Sequence, residues 1–432
     1  MVPGPVALRE ATRVWIRVAA LSFGGPAAQI AVIHRLVVDE KRWVSEQRFL
    51  HALSYCMLLP GPEAQQLATY LGWLLHGTRG GLIAGILFVV PGFLAILGLS
   101  LLYVTARDAF LVSAIFSGLK PAVIAVVFEA VLRLRRRALG SRASVAIATS
   151  AFLAVFAFQV RFPLVVAAAA LLGWAVFRHD ALEAEPVAES ATYPPISQTA
   201  RTAGLWLAIW LVPVLFLVAW YGVDHVVARE ALFFSKVAVV TFGGAYAVLA
   251  YVAQQAVEVY GWLVPGEMLD GLALAETTPG PLIMVVQFVG FLGAYREAGF
   301  GSPVLAGFAG SAVTAWVTFA PCFLFILAGA PYVEVLRGNR PLSAALKGIM
   351  AAVVGVVVNL GVWFATHTLF GSVGTAGWGP VSLPAPAVAS INPGPLVIAV
   401  ASFVAMTRLK VGLGWVLVGA AAAGVALNLA AG

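Results

Sequence analysis

Apolar stretches of roughly 18 or more nearly uncharged residues follow one another almost end to end along this chain, and that pattern limits its fold more than any other feature. A soluble domain has no use for so many long apolar runs, whereas a bilayer-spanning helix requires them. The composition agrees, with 61% hydrophobic and 10% charged residues, against about 25% charged in an ordinary soluble domain. The chain therefore reads as an all-α polytopic membrane protein. In a soluble protein a net charge of +7 would suggest nucleic acid. Here most basic residues lie between apolar segments, where they signal orientation, so no nucleic-acid partner is expected. Arg9, Glu10, Arg13 and Arg17 interrupt the first apolar stretch, which argues against a cleavable signal peptide.

Six segments are expected in a first half, at about 11–37, 49–76, 81–105, 110–132, 144–160 and 162–177. Residues 179–203 turn polar and proline-containing and read as a linker. One extra span follows at 204–222, then six more near 230–257, 266–295, 303–329, 342–369, 390–407 and 411–430, about thirteen in all. The domain reading is 1–178 and 223–432 as two transporter repeats.

The halves are related by a constant offset. Phe23-Gly24-Gly25 recurs 219 residues later as Phe242-Gly243-Gly244, and Pro60-Gly61-Pro62 recurs at the same distance as Pro279-Gly280-Pro281. The same shift carries Arg17 onto Lys236 and Trp43 onto Trp262. Glycine, proline and tryptophan matching together in one register mark an internal repeat. With one extra span between them, equivalent segments are seven apart and cross in opposite directions, which is an inverted-topology repeat. Basic residues number 16 in the loops on the N-terminal side against 9 on the other, which puts the N-terminus in the cytoplasm. The bias flips between halves: the loop at 370–389 has no Lys or Arg where its first-half equivalent is Arg-rich, and Arg337 and Arg340 enrich a loop whose equivalent holds only Arg107.

Gly-Gly-Pro26 and the Pro-Gly-Pro triplets lie inside apolar segments, where they remove N–H donors and helical preference together. Each such segment should split into two half-helices around unwound backbone, which a membrane tolerates only where the break lines a cavity. A pair of broken segments at corresponding positions points to a transporter site, and a half-helix N-terminus facing the break suits an anion. Arg17 and Lys236, some six residues before the paired glycines, add positive charge to this site or else snorkel to the membrane surface. Glu63, Gln66 and Glu276 flank the triplets; an acid at that depth is a candidate proton carrier, and Glu63 is equally placed to cap a half-helix. A valine at Gly25 is expected to do more harm than one at Gly85, a glycine read as ordinary helix packing.

No catalytic or metal-binding pattern stands out. The six histidines are scattered without an HExxH motif, Cys56 and Cys322 lie in apolar surroundings, and no Walker-type loop is present. Neither an enzyme nor a cofactor is expected.

The basic residue, Phe-Gly-Gly-Pro at 23–26, Trp43 and Leu-Leu-Pro-Gly-Pro at 58–62, with the second copy ending Glu-Thr-Thr-Pro-Gly-Pro-Leu at 276–282, together resemble the chromate ion transporter family in its long-chain, two-domain form. The resemblance covers roughly 11–178 and 230–432. It implies a multi-pass inner-membrane protein that exports chromate, with sulfate as the similar oxyanion, by a secondary mechanism. Carried over by motif, the substrate-binding positions are Arg17, Phe23, Gly24, Gly25, Pro26, Pro60, Gly61 and Pro62, then Lys236, Phe242, Gly243, Gly244, Pro279, Gly280 and Pro281. Ala245 departs from the pattern, since the second copy lacks the proline of the first. A passive oxyanion channel and a transporter of another small anion are the alternatives. The expected partners are a small oxyanion and the lipid bilayer, with the chain a monomeric fused pseudo-dimer or a homodimer.

Overall fold

The computed structural model describes residues 6–107, 109–178, 195–242, 244–297, 301–332, 340–379 and 381–431. Gly243, Arg337 and residues 179–194 of the expected linker therefore lie outside the described residues. What is described is helical almost throughout, as an apolar chain in lipid requires, because a helix satisfies its own backbone. The chain forms two compact units, and each takes segments from both halves of the sequence.

The first unit comprises residues 1–100, 181–245 and 278–343. Helix α1 (Leu8–Leu21) buries Ala11, Val14, Trp15 and Val18, the spacing of one helical face. It stops at Ser22, and α2 (Gly25–His34) opens from a left-handed Gly24 with Pro26 in its first turn, where a missing N–H costs nothing. A π-helical turn (Arg35–Glu40) ends that segment. Helix α3 (Glu46–Cys56) is capped by the Ser45 hydroxyl, which accepts the Arg48 N–H. Helix α4 (Glu63–Ala106) follows the Pro-Gly-Pro triplet and is interrupted at His76 and Gly77, whose φ/ψ are non-helical, so it is two expected segments in one run. Trp15, Ile33, Phe49, Tyr55, Leu71 and Phe88 form the main core here. In the same unit α8 (Ile196–Tyr221), α9 (Val226–Val240), α12 (Val285–Glu297) and α13 (Pro303–Gly329) pack together. Glycines let α12 and α13 approach closely: a Cβ on Gly310 would lie 2.4 Å from the Gly290 carbonyl oxygen. Helix α8 begins at Ile196, inside the stretch expected as linker, directly after Pro195. It buries little beyond Trp210 and Val214 and leaves Leu215, Phe216 and Trp220 exposed, the surface of a lipid-facing helix.

The second unit comprises residues 101–180, 246–277 and 344–432. Helix α5 (Phe110–Ala138) packs against α11 (Pro265–Thr277), α15 (Pro393–Thr407) and α16 (Leu413–Ala431). Its last turn carries Arg135, Arg136 and Arg137, where positive charge suits the helix dipole. Helices α6 (Arg142–Phe156), α7 (Phe162–Phe177), α10 (Ala245–Gln254) and α14 (Arg340–Leu369) complete it, and Gly173 and Gly348 meet where α7 crosses α14. The charge-free stretch expected as a loop at 370–389 contains an antiparallel hairpin, β1 (Val373–Trp378) with β2 (Val381–Pro386), Val373 facing Pro386. Its Ser382 N–H donates to Ala157 O at 3.0 Å, so the strand pair is tied to the end of α6.

Among the described residues, six helices are long and apolar enough to cross a membrane alone: Glu63–Ala106, Phe110–Ala138, Ile196–Tyr221, Pro303–Tyr332, Arg340–Leu369 and Leu413–Ala430. Arg142–Phe156, Phe162–Phe177 and Pro393–Thr407 are shorter apolar helices. The expected segments at 11–37, 49–76, 230–257 and 266–295 are each broken between separate helices, because their glycines and prolines interrupt the helical hydrogen bonds.

Candidate functional site

The four interruptions fall into two pairs whose backbones match at the 219-residue offset. Where α1 ends, Ser22 Oγ donates to Val18 O (2.7 Å) and the Phe23 N–H to Leu21 O (3.0 Å). Where α9 ends, Thr241 Oγ1 donates to Val237 O (2.6 Å) and the Phe242 N–H to Val240 O (3.1 Å). Both hydroxyls thus serve carbonyls that the broken helix would leave without a partner. Gly25 and Gly244 both have positive φ, 81° and 94°. Further on, the π-turn at Arg35–Glu40 has its counterpart at Gln255–Val259. The repeat is therefore one of backbone conformation as well as of sequence.

Within the first unit the two kinds of break are joined crosswise. The Gly61 N–H donates to Thr241 O at 2.7 Å, and the Gly280 N–H donates to Ser22 O at 2.9 Å. These bonds are themselves 219 residues apart at both ends. Proline on either side leaves glycine as the sole backbone donor of each triplet, so the Pro-Gly-Pro motif aims one N–H at the opposite broken helix. Gly61 (φ 121°) and Gly280 (φ 99°) hold conformations that suit glycine. Two buried amides then break the symmetry. Gln66 Nε2 donates to Pro60 O, and Gln29 Nε2 donates to Gly280 O, both at 2.7 Å. Their offset equivalents are Val285 and Val248, so only the first half supplies these side chains.

Of the substrate-binding positions expected from the motifs, Gly25, Gly61, Pro62, Gly280 and Pro281 are buried. Gly24, Pro26, Pro60, Phe242, Gly244 and Pro279 are partly buried, and Phe23 is exposed. Gly243 is outside the described residues. Arg17 and Lys236 are exposed on α1 and α9, and the Arg17 guanidinium donates to Glu40 Oε2 at 2.9 Å, a partner the repeat did not reveal. Because the Gly61 and Gly280 N–H groups are committed to carbonyls, the donors left to face a ligand are those of the first helical turns. α2 opens without a side-chain cap, and so does the 3₁₀ turn at Leu282–Met284. Beside the second break there is room: a Cβ on Gly244 would meet nothing within 4 Å. Uncapped N–H groups and positive dipole ends form an arrangement that can bind an anion.

The coupling candidates are placed differently. Glu63 stands in the first turn of α4, and Gln66 is held by its bond to Pro60 O. Glu276 belongs to the second unit, is buried, and accepts the Tyr246 hydroxyl. Glu129 and Arg133, spaced i, i+4 on α5, form an ion pair, and Arg133 acts electrostatically on both Tyr246 and Glu276. Helix α11 adds two more buried acids: Glu267 pairs with Arg107 (2.5 Å), and Asp270 accepts the Tyr103 hydroxyl (2.8 Å) and faces Lys120 (3.3 Å). Sequence reasoning passed over these pairs, although Glu267 and Asp270 at i, i+3 in an apolar helix were the signal. Among the described residues no group of three or more His, Cys, Asp or Glu could hold a metal ion.

Comparison with known proteins follows the same outline. The family model described as chromate transporter matches residues 9–174 and 229–427. The chain is 35% identical to the chromate transport protein of Pseudomonas aeruginosa, over 82% of this chain and 80% of that protein. It is 29% identical to a probable chromate transport protein of Synechococcus elongatus (82% and 83%) and 27% identical to the chromate transport protein of Cupriavidus metallidurans (84% and 84%). No solved structure matches the chain.

Proposed function

This chain belongs to the chromate transporter family, and we propose that it exports chromate across the inner membrane as a secondary active transporter, with sulfate as a competing oxyanion. The observation that carries the reading is the crossed pair of bonds, Gly61 to Thr241 and Gly280 to Ser22. Through them the two repeats hold each other's broken helices, so that a shift of one repeat must be felt at the other's break. The anion is placed at the first turns of the half-helices following the breaks, near Phe23-Gly24-Gly25-Pro26 and its second copy. Arg17 and Lys236 supply long-range attraction from α1 and α9. The repeats are taken as inverted, with alternating access by rocking of one against the other. Among the coupling candidates, Glu63 and Gln66 stabilise the first break, and Glu276 with Tyr246 is the protonatable pair.

The test is uptake of labelled chromate and sulfate into inverted membrane vesicles, with and without an imposed pH gradient, for the natural chain and for Gly25→Val. Gradient-dependent accumulation of chromate, competed by sulfate and abolished by the substitution with folding intact, is expected. Folded protein that accumulates neither anion would overturn the reading.

A further inference from the structure

Glu230 is the acid that neither the motifs nor the breaks account for. It lies on α9 and is 0% exposed, and neither carboxyl oxygen has a hydrogen-bond partner among the described residues. Close by on α13 the hydroxyls of Ser311 and Thr314 are equally buried and equally without a partner. The three groups converge on the glycine crossing of the first unit. A Cβ built on Gly310 would lie 2.7 Å from Glu230 Oε2, and one on Gly290 would lie 2.2 Å from Thr314 Oγ1. The carboxyl group thus occupies the space that a side chain at 310 would fill, and the Thr314 hydroxyl that at 290.

We propose that Glu230, with Ser311 and Thr314, is a proton-binding site that takes up and releases one proton in each transport cycle. The proposal rests on the transport reading above and adds the coupled ion and its carrier. Charge decides the matter. The neighbouring Arg229 is bonded to Glu297 of α12. The remaining ionisable groups of the packed elements are His225 and Lys236 on α9, Tyr295 and Arg296 on α12, Cys322 on α13 and Arg201 and Tyr221 on α8, where Tyr221 stacks on His225. None of them is an ion-pair partner of Glu230 among the described residues. An ionised carboxylate enclosed without a counter-ion is strongly disfavoured, so the resting group is the neutral acid. A hydrated metal cation is not accommodated, because the carboxyl group already touches the glycine backbone. In the exchange only the carboxyl O–H bond breaks and re-forms: the proton passes to water on one side of the membrane and is replaced by one from the other.

The placement explains how such an event reaches the anion. Glu230 stands eleven residues before Thr241, about 16 Å up the same helix, and Thr241 O is the acceptor of the Gly61 N–H. A charge appearing at Glu230 would drive α9 away from α13 and pull on that bond. The first half has Ala11 at the equivalent position, so the repeat does not duplicate this carboxyl.

The test uses the full chain reconstituted in liposomes, with Glu230→Gln, which keeps shape and neutrality but cannot exchange a proton. Chromate–chromate exchange at equal pH should persist in the variant, while accumulation driven by a pH gradient should be lost. Infrared difference spectra of natural chain minus variant should show the carbonyl stretch of a protonated carboxyl at neutral pH. Gradient-driven accumulation equal to the natural chain, or an ionised carboxylate in its place, would overturn the proposal. Should Glu230→Gln fail to fold, Ser311→Ala carries the test: removing a hydroxyl beside the carboxyl should shift the pH of half-maximal gradient-driven uptake, and an unshifted profile would count against the site. If the natural chain moves no chromate under any gradient, the transport reading fails, and the infrared band still decides whether Glu230 holds a proton.

Discussion

Gly61 and Thr241, 180 residues apart in the chain, are joined by a 2.7 Å backbone hydrogen bond whose offset copy joins Gly280 to Ser22. A donor from each Pro-Gly-Pro triplet thereby closes the carbonyl that the opposite half's broken helix leaves open.

The two triplet glycines should not tolerate a side chain equally. A Cβ on Gly61 would meet the tip of Gln66 at 2.8 Å and Cys322 Sγ at 2.9 Å, both side-chain atoms. On Gly280 it would meet the Gly92 backbone at 3.0 Å. Either alanine carries backbone strain of about 1–3 kcal/mol, and Gly280→Ala is expected to lower the melting temperature in detergent the more. Gly244→Ala, strained but facing open space, should be the mildest of the three.

Gln29 offers a test of the asymmetry between the halves. Gln29→Leu removes the donor to Gly280 O and leaves a buried carbonyl without it, which should cost about 1–3 kcal/mol. Val248→Ala, at the offset position, should leave the geometry of Gly61 unchanged. If thermal melting ranks Gln29→Leu as neutral, that carbonyl has found another donor.

Arg17 separates attraction of an anion from simple pairing. The Arg17–Glu40 bridge is solvent-exposed, and such pairs contribute about 0–1 kcal/mol. Arg17→Ala and Glu40→Ala should therefore melt like the natural chain. Chromate uptake should fall in the first and hold in the second. Equal uptake in both would assign Arg17 to the membrane surface.

In the second unit, Tyr103→Phe deletes a hydrogen bond to the Asp270 carboxylate and should cost about 1.5–3 kcal/mol. Asp270→Ala should cost more, because Lys120 then loses its counter-ion. The pair Asp270→Leu with Lys120→Met should regain part of that loss in a thermal melt.

The expected contrast between Gly25→Val and Gly85→Val needs a different control. Gly85 is packed: a Cβ there would lie 2.4 Å from Thr69 Oγ1 and 2.6 Å from the Phe323 ring. Gly98, exposed and with nothing within 4 Å, is the neutral comparison. Its valine variant should fold and transport normally where Gly25→Val does not transport.

The sequence by itself determined the membrane class, the helical character and the Gly/Pro positions where helices break, because these follow from local properties: apolar length, the missing N–H of proline and the backbone freedom of glycine. The exact offset also made the repeat legible, down to residues whose hydrogen bonds match. Tertiary structure alone decided what the breaks touch. That the Gly61 and Gly280 N–H groups point across to the other half, that Gln29 reaches Gly280 O, and that Glu230 is enclosed against Gly310 without a partner all depend on packing between segments far apart in sequence. Composition also hid the ion pairs of α11 and the hairpin at 373–386, since a lone acid in an apolar run reads the same whether or not a cation from another helix stands opposite it. Local chemistry fixes where a helix must stop; only packing fixes which distant carbonyl, amide or charge the freed groups meet.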